Sequence, residues 1–426
     1  MRGGLSEKSS PPPLPVASRR KAEWPTDSLH PPRAARREAA HRPGATRGIG
    51  QETLGGSENP PDDVSLRPTP RILGGAPVIV ATAEALAGEL RPRIAKIPRV
   101  RIGEFPTPLT ELTRLSRHLG GPRIFLKRED LSGLALGGNK TRLLEFRLAE
   151  ALEQGADVVI AGLEEESNSA RQLTAAANRL GLRTVLLMRC LGTPAWQGNL
   201  LLDRILGAEI HFLPAEADID HALREMAELE RGRGHRPYIM NHARFFGIGA
   251  ALAGLEWTLE TLEQLGGLGL RPTHFYLSSG GKCQSGMVLV QKMAAGTPFR
   301  VIGIHAKPEA TGPEATSRIA NATAEALGLD LRIGPNEVEN RIEFAGPAFG
   351  ISTPEDIAAI RLVARLEGIL LDPVFTGKAM AGLLADAKDG RLKADDVVVF
   401  VHTGGIPGLF AHAHEFLMEA APTGTA

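Results

Sequence analysis

The sequence predicts an α/β protein built on mostly parallel sheets with helices on both faces. Three observations support this prediction. Short apolar runs rich in β-branched residues recur along the chain, segments with helical periodicity lie between them, and small or polar residues follow several of the runs. Such an alternation of buried strands and helices is typical of open parallel sheets.

The individual elements follow from these patterns in chain order. Apolar runs predict strands at residues 124–127, 157–161, 184–188, 209–212, 274–277, 300–304 and 397–402. Apolar residues at every third or fourth position predict helices between them, for example at residues 140–154, 167–180, 197–206 and 376–387. Ligands in such sheets bind outside the carboxyl ends of the strands. We therefore expect a site where residues 167–168, 278–281 and 403–405 follow three of the strands.

The composition excludes several classes of protein. The chain has 426 residues, enough for two modest domains, and 49 Lys+Arg balance 49 Asp+Glu. A neutral chain gives no electrostatic reason to bind nucleic acid or a membrane, and no apolar run approaches the ~20 residues that span a bilayer. The two cysteines, Cys190 and Cys283, exclude a disulfide framework. We expect a cytoplasmic protein, and the spacing of the 12 histidines predicts no metal site.

Residues 1–80 differ in composition from the rest of the chain. They are rich in Pro, Arg, Gly and Ser and show no periodicity, so we expect this segment to be disordered. A targeting peptide is an alternative, but its acidic residues and the lack of an apolar core argue against one. An over-extended gene start is the other alternative, with a valine near Val78 or Val80 as the initiator.

Lys140 is the first candidate for a catalytic residue. It follows Gly-Gly-Asn at residues 137–139 and begins a predicted helix. The glycines let the backbone approach a ligand, and the partial positive charge of the helix N-terminus disfavours a protonated amine. A neutral lysine amine is what a Schiff base with an aldehyde requires. The alternative is an ordinary solvated lysine in the first turn of a helix.

Two further turns carry candidate binding residues. Ser-Ser-Gly-Gly-Lys-Cys at residues 278–283 lies between a predicted strand and an apolar helix. Glycines at such a junction let backbone N–H groups point at one anion, so the turn predicts a phosphate site, with an ordinary connection as the alternative. Ser167 and Asn168 begin another helix, where either side chain is also a good N-cap.

Taken together, these segments resemble the family of D-cysteine desulfhydrase and 1-aminocyclopropane-1-carboxylate deaminase. This family belongs to the tryptophan-synthase-β-like, fold type II pyridoxal-phosphate enzymes. The resemblance runs from about Ile97 to near His414 and rests on ordered motifs at residues 105–109, 127–130, 137–142, 167–168, 371–382 and 402–405.

The resemblance implies two sheets in two domains, with pyridoxal 5'-phosphate in the cleft between them, and a homodimer. Residues 81–142 and 252–426 would form the large cofactor-binding domain, and residues 143–251 the small domain. Lys140 would hold the cofactor and then act as a base, while Ser167 would bind the substrate carboxylate or move a proton. The other cofactor-binding residues implied are Asn168 at the phenolic oxygen, Ser279, Gly280, Gly281, Lys282 and Cys283 around the phosphate, Phe375 and Thr376 at the ring, and Thr403 and Gly404 in the closing motif.

Several residues depart from the family's pattern. Ser169 stands where a histidine often occurs, and the carboxylates of residues 164–166 would repel an amino-acid substrate if they faced the site. Lys282 and Cys283 stand where a glycine and a threonine are common. Phenylalanine replaces tyrosine at two positions, Phe349 and Phe375; the only tyrosines, Tyr238 and Tyr276, lie outside both motifs.

Thr376 favours desulfhydrase chemistry, because the resemblance implies glutamate at this position in the cyclopropane deaminases. The expected reaction is β-elimination from a small amino acid such as D-cysteine, giving pyruvate, ammonia and sulfide. Deamination of 1-aminocyclopropane-1-carboxylate is the second hypothesis, and a racemase or another lyase is the third. The departures also support a pyridoxal-phosphate-binding protein with little catalysis. The substrate, its handedness and the oligomeric state stay open.

Overall fold

The computed structural model describes residues 82–190, 194–294, 298–308 and 312–417. The disorder expected for residues 1–80 lies outside the described residues. Within them, no helix is long and apolar enough to cross a membrane.

Two sheets organise the described part of the chain. Their strands are β1 (Leu109–Glu111), β2 (Arg123–Lys127), β3 (Val158–Glu164), β4 (Arg183–Cys190), β5 (Glu209–Pro214), β6 (Pro237–Ile239), β7 (His274–Ser278), β8 (Arg300–Ile304), β9 (Glu339–Arg341) and β10 (Val397–Val401). The first sheet has the order β1-β2-β10-β7-β8-β9, and the second has the order β5-β4-β3-β6. All neighbouring strands are parallel except β1 and β2. The predicted α/β fold with two mostly parallel sheets is confirmed.

Helices cover these sheets. They are α1 (Ala83–Ile94), α2 (Thr113–His118), α3 (Lys140–Glu153), α4 (Asn168–Arg179), α5 (Gly198–Ile205), α6 (Ile219–Gly232), α7 (Phe246–Gly266), α8 (Lys282–Met293), α9 (Pro313–Ala326), α10 (Pro354–Glu367), α11 (Thr376–Lys388), α12 (Pro407–Ala411) and α13 (Ala413–Leu417). Short 3₁₀ helices cover Glu129–Leu131, Met240–His242 and Pro335–Glu337.

All seven predicted strands are present, with bounds shifted by at most a few residues. The three strands that the sequence did not predict, β1, β6 and β9, have three residues each, too few to show a period. Helix α7 lies between two predicted strands but was not among the helices named from the sequence. It is buried along most of its length and therefore lacks the polar face that makes a helical pattern visible.

The second sheet is formed by the chain between α3 and α7, and the first sheet by segments before and after it. The predicted domain boundaries, after residues 142 and 251, fall inside α3 and α7. The division into a large and a small domain stays a prediction.

A buried ion cluster holds the beginning of α3. The Arg142 guanidinium lies 2.9 Å from Oε1 of Glu129 and 2.8 Å from Oε1 of Glu260, and Lys127 Nζ lies 2.9 Å from Oε2 of Glu260. These four side chains come from β2, α3, α7 and the 3₁₀ turn after β2. The cluster therefore joins these elements beside Lys140, the first residue of α3.

Candidate active site

A cavity of about 550 Å³ lies at the carboxyl ends of the parallel strands, within the size range of small-molecule sites. Residues that end or follow β3, β4, β7, β8 and β10 line it. Of the residues predicted for the site, those that line the cavity are Lys140, Ser167, Asn168, Ser279, Gly280, Lys282, Phe375, Thr403 and Gly404. Three predicted residues do not line it: Gly281, Cys283 and Thr376.

Lys140 projects into the cavity from the first turn of α3, and its Nζ donates a 3.2 Å hydrogen bond to Oδ1 of Asn139. A Cβ at Gly137, where φ is +63°, would lie 1.8 Å from the Asp130 carbonyl oxygen, so this turn requires glycine. Desolvation by the surrounding protein is the main cause that lowers the pKa of Lys140. The sequence had predicted a neutral amine from the helix terminus, whereas burial is the principal cause here.

The Ser-Ser-Gly-Gly turn leads from β7 into α8. Gly281, with φ +88°, donates its N–H to Oγ of Ser279 at 2.9 Å, and that hydroxyl donates to Gln284 at 2.8 Å. Gly281 thus shapes the turn from behind, while a Cβ at Gly280 would meet no atom within 4 Å. The N–H groups in the first turn of α8 have no acceptor within the helix.

Two side chains in this turn depart from the family's pattern, and the structure gives each a contact. The Lys282 amine lies 4.5 Å from the centroid of the Phe246 ring, which also lines the cavity. The Cys283 thiol faces Asn139, whose Nδ2 lies 3.6 Å from Sγ. Burial is the main cause that raises the pKa of Cys283, so the thiol form is favoured. Cys283 therefore packs under the Lys140 turn.

Ser167 and Asn168 line the same cavity as Lys140. Ser167 is the N-cap of α4, and its Oγ accepts the N–H groups of Ser169 at 3.2 Å and Ala170 at 3.4 Å. Since the oxygen is used as an acceptor, the hydroxyl proton is the part of Ser167 available to a ligand. The N-cap interpretation is thus confirmed, and it is compatible with a role in binding.

The three carboxylates before Ser167 each have a partner. Glu164 lies 2.6 Å from Nη2 of Arg189, and Glu165 accepts the thiol proton of Cys190 at 2.8 Å. Glu166 lies 3.0 Å from Nε2 of His412, whose Nδ1 lies 2.7 Å from Glu415. These two carboxylates raise the pKa of His412 to about 9. Of the three, only Glu164 lines the cavity, beside Arg189, so the repulsion considered from the sequence is largely neutralised.

No tyrosine lines the cavity. Phe349 and Phe375 lie on its wall in an edge-to-face pair, with ring centroids 5.8 Å apart. Tyr238 donates to Glu150 at 2.8 Å and Tyr276 donates to Asp386 at 2.6 Å. Burial and these acids raise the pKa of both phenols, so neither serves as a proton donor or acceptor in the site.

The closing motif packs directly on the Lys140 turn. The Thr403 carbonyl accepts the N–H of Asn139 at 3.0 Å. Gly404 has φ +99°, and a Cβ there would lie 2.8 Å from Cα of Gly138. A side chain at residue 404 would therefore displace the turn that carries Lys140.

Sequence reasoning missed several residues of the cavity wall: Arg189, Asn241, Phe246, His305 and Lys307. A signal was available for His305, which directly follows the predicted strand at 300–304. The N–H of Ser279 donates to the carbonyl of Ile304, the residue before His305, at 2.9 Å. His305 therefore lies beside the Ser-Ser-Gly-Gly turn. Burial is the main cause that lowers the pKa of His305 and favours its neutral form.

Known proteins resemble this chain over most of its length. The sequence model of a family described as "Pyridoxal-phosphate dependent enzyme" matches residues 100–404. A 1-aminocyclopropane-1-carboxylate deaminase of Burkholderia ambifaria is 37% identical over 335 residues, which cover 76% of this chain and 98% of the relative. A D-cysteine desulfhydrase of Yersinia enterocolitica is 36% identical over 329 residues, with the same coverage of 76% and 98%.

Solved structures agree with these matches. A crystal structure of an ACC deaminase homologue superposes with a TM-score of 0.67 and 31% identity, covering 77% of this chain and 98% of the other. O-ureido-L-serine synthase superposes with a TM-score of 0.52 at 17% identity, which is a likeness in fold alone.

Proposed function

Because this chain belongs to the pyridoxal-phosphate dependent enzymes, in the group of 1-aminocyclopropane-1-carboxylate deaminases and D-cysteine desulfhydrases, we propose that it catalyses β-elimination. The proposed substrate is a small amino acid such as D-cysteine, and the products are pyruvate, ammonia and sulfide. The observation that carries this choice is the pair of phenylalanines, Phe349 and Phe375, in a cavity without a phenol.

The residues of the cavity fit pyridoxal 5'-phosphate. Lys140 offers an amine whose pKa is lowered by burial, as attachment to an aldehyde requires. The turn at Gly280 leaves open space beside the N-terminus of α8, where backbone N–H groups and the helix dipole favour a phosphate. We assign to the phosphate Ser279, Gly280 and Lys282, and to the ring Asn168, Phe375, Thr403 and Gly404. Gly281, Cys283 and Thr376 do not line the cavity, so we assign them to holding the surrounding turns in place.

Bound pyridoxal phosphate supplies an electron sink for the charge that develops at the substrate Cα. The chain's own residues supply the rest. The Lys140 amine takes the proton from Cα, and the Ser167 hydroxyl donates to the substrate carboxylate. Arg189 compensates the charge of Glu164 on the same wall, so a substrate carboxylate is not repelled there. A thiolate departs from Cβ without a strong acid, and no tyrosine is needed for that step.

A second candidate is deamination of 1-aminocyclopropane-1-carboxylate, which the name of the Burkholderia ambifaria relative favours. Opening an unactivated ring asks more of the site than expelling a thiolate does. In the family resemblance this step depends on tyrosine phenols and a carboxylate at the ring nitrogen. This chain has Phe349, Phe375 and Thr376 at those positions, which supports elimination as the main activity.

We also propose that the enzyme is a cytoplasmic homodimer in which residues 81–142 and 252–426 form the large domain and residues 143–251 the small domain. The family resemblance supports the dimer and the division into domains, and two free cysteines are typical of a protein in a reducing compartment. Size-exclusion chromatography with light scattering tests the dimer.

The decisive experiment compares two products from one preparation of the cofactor-loaded protein. Pyruvate release is measured with D-cysteine and β-chloro-D-alanine, and 2-oxobutanoate release with 1-aminocyclopropane-1-carboxylate. We expect ring opening to be slower by ~10²-fold or more, the usual cost of one missing acid–base group. Equal rates would overturn the choice of elimination. Absence of both products from a protein that binds cofactor would instead support a binding protein with little catalysis.

A further inference from the structure

The side-chain amide of Asn168 is held in one orientation by its neighbours. Its Oδ1 accepts two hydrogen bonds, one from Nη1 of Arg171 at 3.3 Å and one from Nδ2 of Asn199 at 3.1 Å. Because both neighbours are donors, the reversed amide would place its own donors against them. The NH₂ group of Asn168 is therefore the part of the side chain that a ligand in the cavity meets.

Arg171 is fully buried, and its partners are neutral oxygens. Besides Asn168, its Nη1 donates to Oδ1 of Asn199 at 2.9 Å, and its Nη2 donates to the Gly137 carbonyl at 2.8 Å. No carboxylate in the described part of the chain forms an ion pair with it. A buried cation without a carboxylate in contact creates positive potential around it, which an anion in the adjacent cavity would compensate.

Charged groups on the packed elements act on Arg171 only from a greater distance. Burial, the larger cause, lowers its pKa to about 10, and Asp203 on α5 and Asp372 before α11 oppose this. Arg171 therefore keeps its charge at neutral pH. Burial also raises the pKa of the Asp203 carboxyl, to about 8, which weakens its compensation of the Arg171 charge.

Arg171 also connects Asn168 to the turn that carries Lys140. Arg171 donates to the carbonyl of Gly137, which is three residues before Lys140. The next residue on α4, Gln172, accepts the N–H of Thr141 at 2.8 Å and so caps the beginning of α3. The two neighbours on α4 thus fix the distance between the Asn168 amide and the Lys140 amine.

We propose that Arg171 is a positioning residue for the cofactor's ring oxygen, with Asn199 as its partner. Arg171 turns the Asn168 NH₂ group into the cavity and places positive charge behind it, so that together they stabilise an anionic oxygen on the ring next to the carbon attached to Lys140. The inference rests on the proposed function only in that the cofactor binds at Lys140. It does not depend on which amino acid is the substrate.

Stabilising that anion makes the linkage to Lys140 lose its proton at lower pH, since deprotonation leaves the ring more negative. The near-visible absorbance of the bound cofactor reports this titration without any turnover. In Arg171→Met we expect the midpoint to move to higher pH by about one unit, the size expected for loss of a hydrogen bond to a charged group. Asn199→Ala removes one of the two donors to Asn168, and a smaller shift in the same direction is expected.

The matched control is Arg179→Met on the same helix, because Arg179 donates to the carbonyl of Ile102 and does not contact Asn168. Its midpoint should equal that of the unmodified protein. Asp203→Asn removes the buried carboxyl whose pKa is raised, and the shift caused by Arg171→Met must persist in that background. If Arg171→Met yields no folded protein, Asn199→Ala decides.

The outcomes separate the inference from the proposed function. The role of Arg171 is overturned if the unmodified protein binds pyridoxal phosphate but Asn199→Ala keeps the original midpoint, as does Arg171→Met where that variant folds. Unmodified protein that shows no cofactor absorbance, or shows it unchanged in Lys140→Ala, overturns the proposed function itself. Upward shifts in the first two variants with an unchanged Arg179→Met midpoint support the inference.

Discussion

The hydroxyl group of Thr376 donates a 2.6 Å hydrogen bond to Oδ1 of Asp372, and the N–H of Asp372 donates to the same hydroxyl oxygen at 2.8 Å. The buried Asp372 carboxylate also accepts the N–H groups of Val374 at 3.0 Å and Phe375 at 2.8 Å. Asp372 therefore caps the beginning of α11 and sets the position of Phe375 on the cavity wall. The proton and the oxygen of the Thr376 hydroxyl are both used within this cap, and Thr376 itself does not line the cavity.

Replacing Asp372 tests this cap. We expect Asp372→Ala to lower the free energy of unfolding by about 2–4 kcal/mol, because several buried N–H and O–H groups lose their acceptor at once. Asp372→Asn keeps one oxygen, so its free energy of unfolding should lie between those of Asp372→Ala and the unmodified protein. Urea denaturation of the cofactor-free proteins measures the difference. A stability of Asp372→Ala equal to that of the unmodified protein would contradict the assignment.

Lys140 should be indispensable for cofactor attachment. We expect Lys140→Ala to lose the near-visible absorbance of bound pyridoxal phosphate and to lower kcat by ~10³-fold or more. Lys292→Ala is the matched control, because Lys292 lies on the exposed side of α8 and pairs with Glu337. The control should keep both absorbance and activity. Retained absorbance in Lys140→Ala would place the attachment at another residue.

Restoring a phenol should change the product ratio. In Phe349→Tyr and Phe375→Tyr we expect the rate of 2-oxobutanoate release to rise relative to pyruvate release by about tenfold, a part of the ~10²–10⁴-fold that one positioned acid–base group contributes. Phe246→Tyr serves as the comparison, because Phe246 lines the same cavity but contacts Lys282 and is not part of that ring pair. A ratio that stays constant in both variants would mean that phenols do not limit ring opening.

Breaking the buried ion cluster should cost stability. Arg142→Met leaves Glu129 and Glu260 without their shared cation, and we expect a loss of about 3–5 kcal/mol in the free energy of unfolding. Arg224→Met removes an exposed pair with Asp220 on α6 and should cost less than ~1 kcal/mol. Equal losses in the two variants, measured by urea denaturation, would show that the cluster contributes little.

His412 predicts a pH dependence of stability. Its pKa is raised from 6.5 to about 9, because Glu166 and Glu415 favour the protonated ring. The stabilisation is therefore fully present below about pH 6.5 and is lost as the pH rises through about 9. We expect the melting temperature of the unmodified protein to fall more steeply over this window than that of His412→Gln, and the two curves to converge above it. Parallel curves would be inconsistent with the raised pKa.

The fold was largely predictable because buried parallel strands such as β7 and β10 are continuous apolar runs with clear ends. Strands β1, β6 and β9 were not, since three residues carry no period. Helix α7 is long, but a helix buried along most of its length has no polar stripe to make its period visible. In both cases the alternation of apolar and polar residues is absent, because the strands are too short or because the helix is buried on most sides.

The site was predictable where a polar or glycine-rich turn leads into a helix, as at Lys140, Asn168 and Gly280. Contacts between segments distant in the chain were not. The pairing of Glu166 with His412 joins residues 246 positions apart, and nothing in either local sequence indicates it. The orientation of the Asn168 amide likewise depends on Arg171 and Asn199, which become neighbours only after α4 and α5 have packed.

Strand β10 is the last strand in the described part of the chain, yet it lies inside the first sheet, between β2 and β7. The Thr403 carbonyl that follows it binds the N–H of Asn139, next to Lys140. During synthesis on the ribosome, the Lys140 turn therefore lacks this hydrogen bond until the chain has been made through Thr403. A nascent or prematurely terminated chain that ends before residue 397 would have a gap in its central sheet and an unsupported lysine. The surroundings of the Lys140 amine are therefore complete only once β10 has paired with β2 and β7.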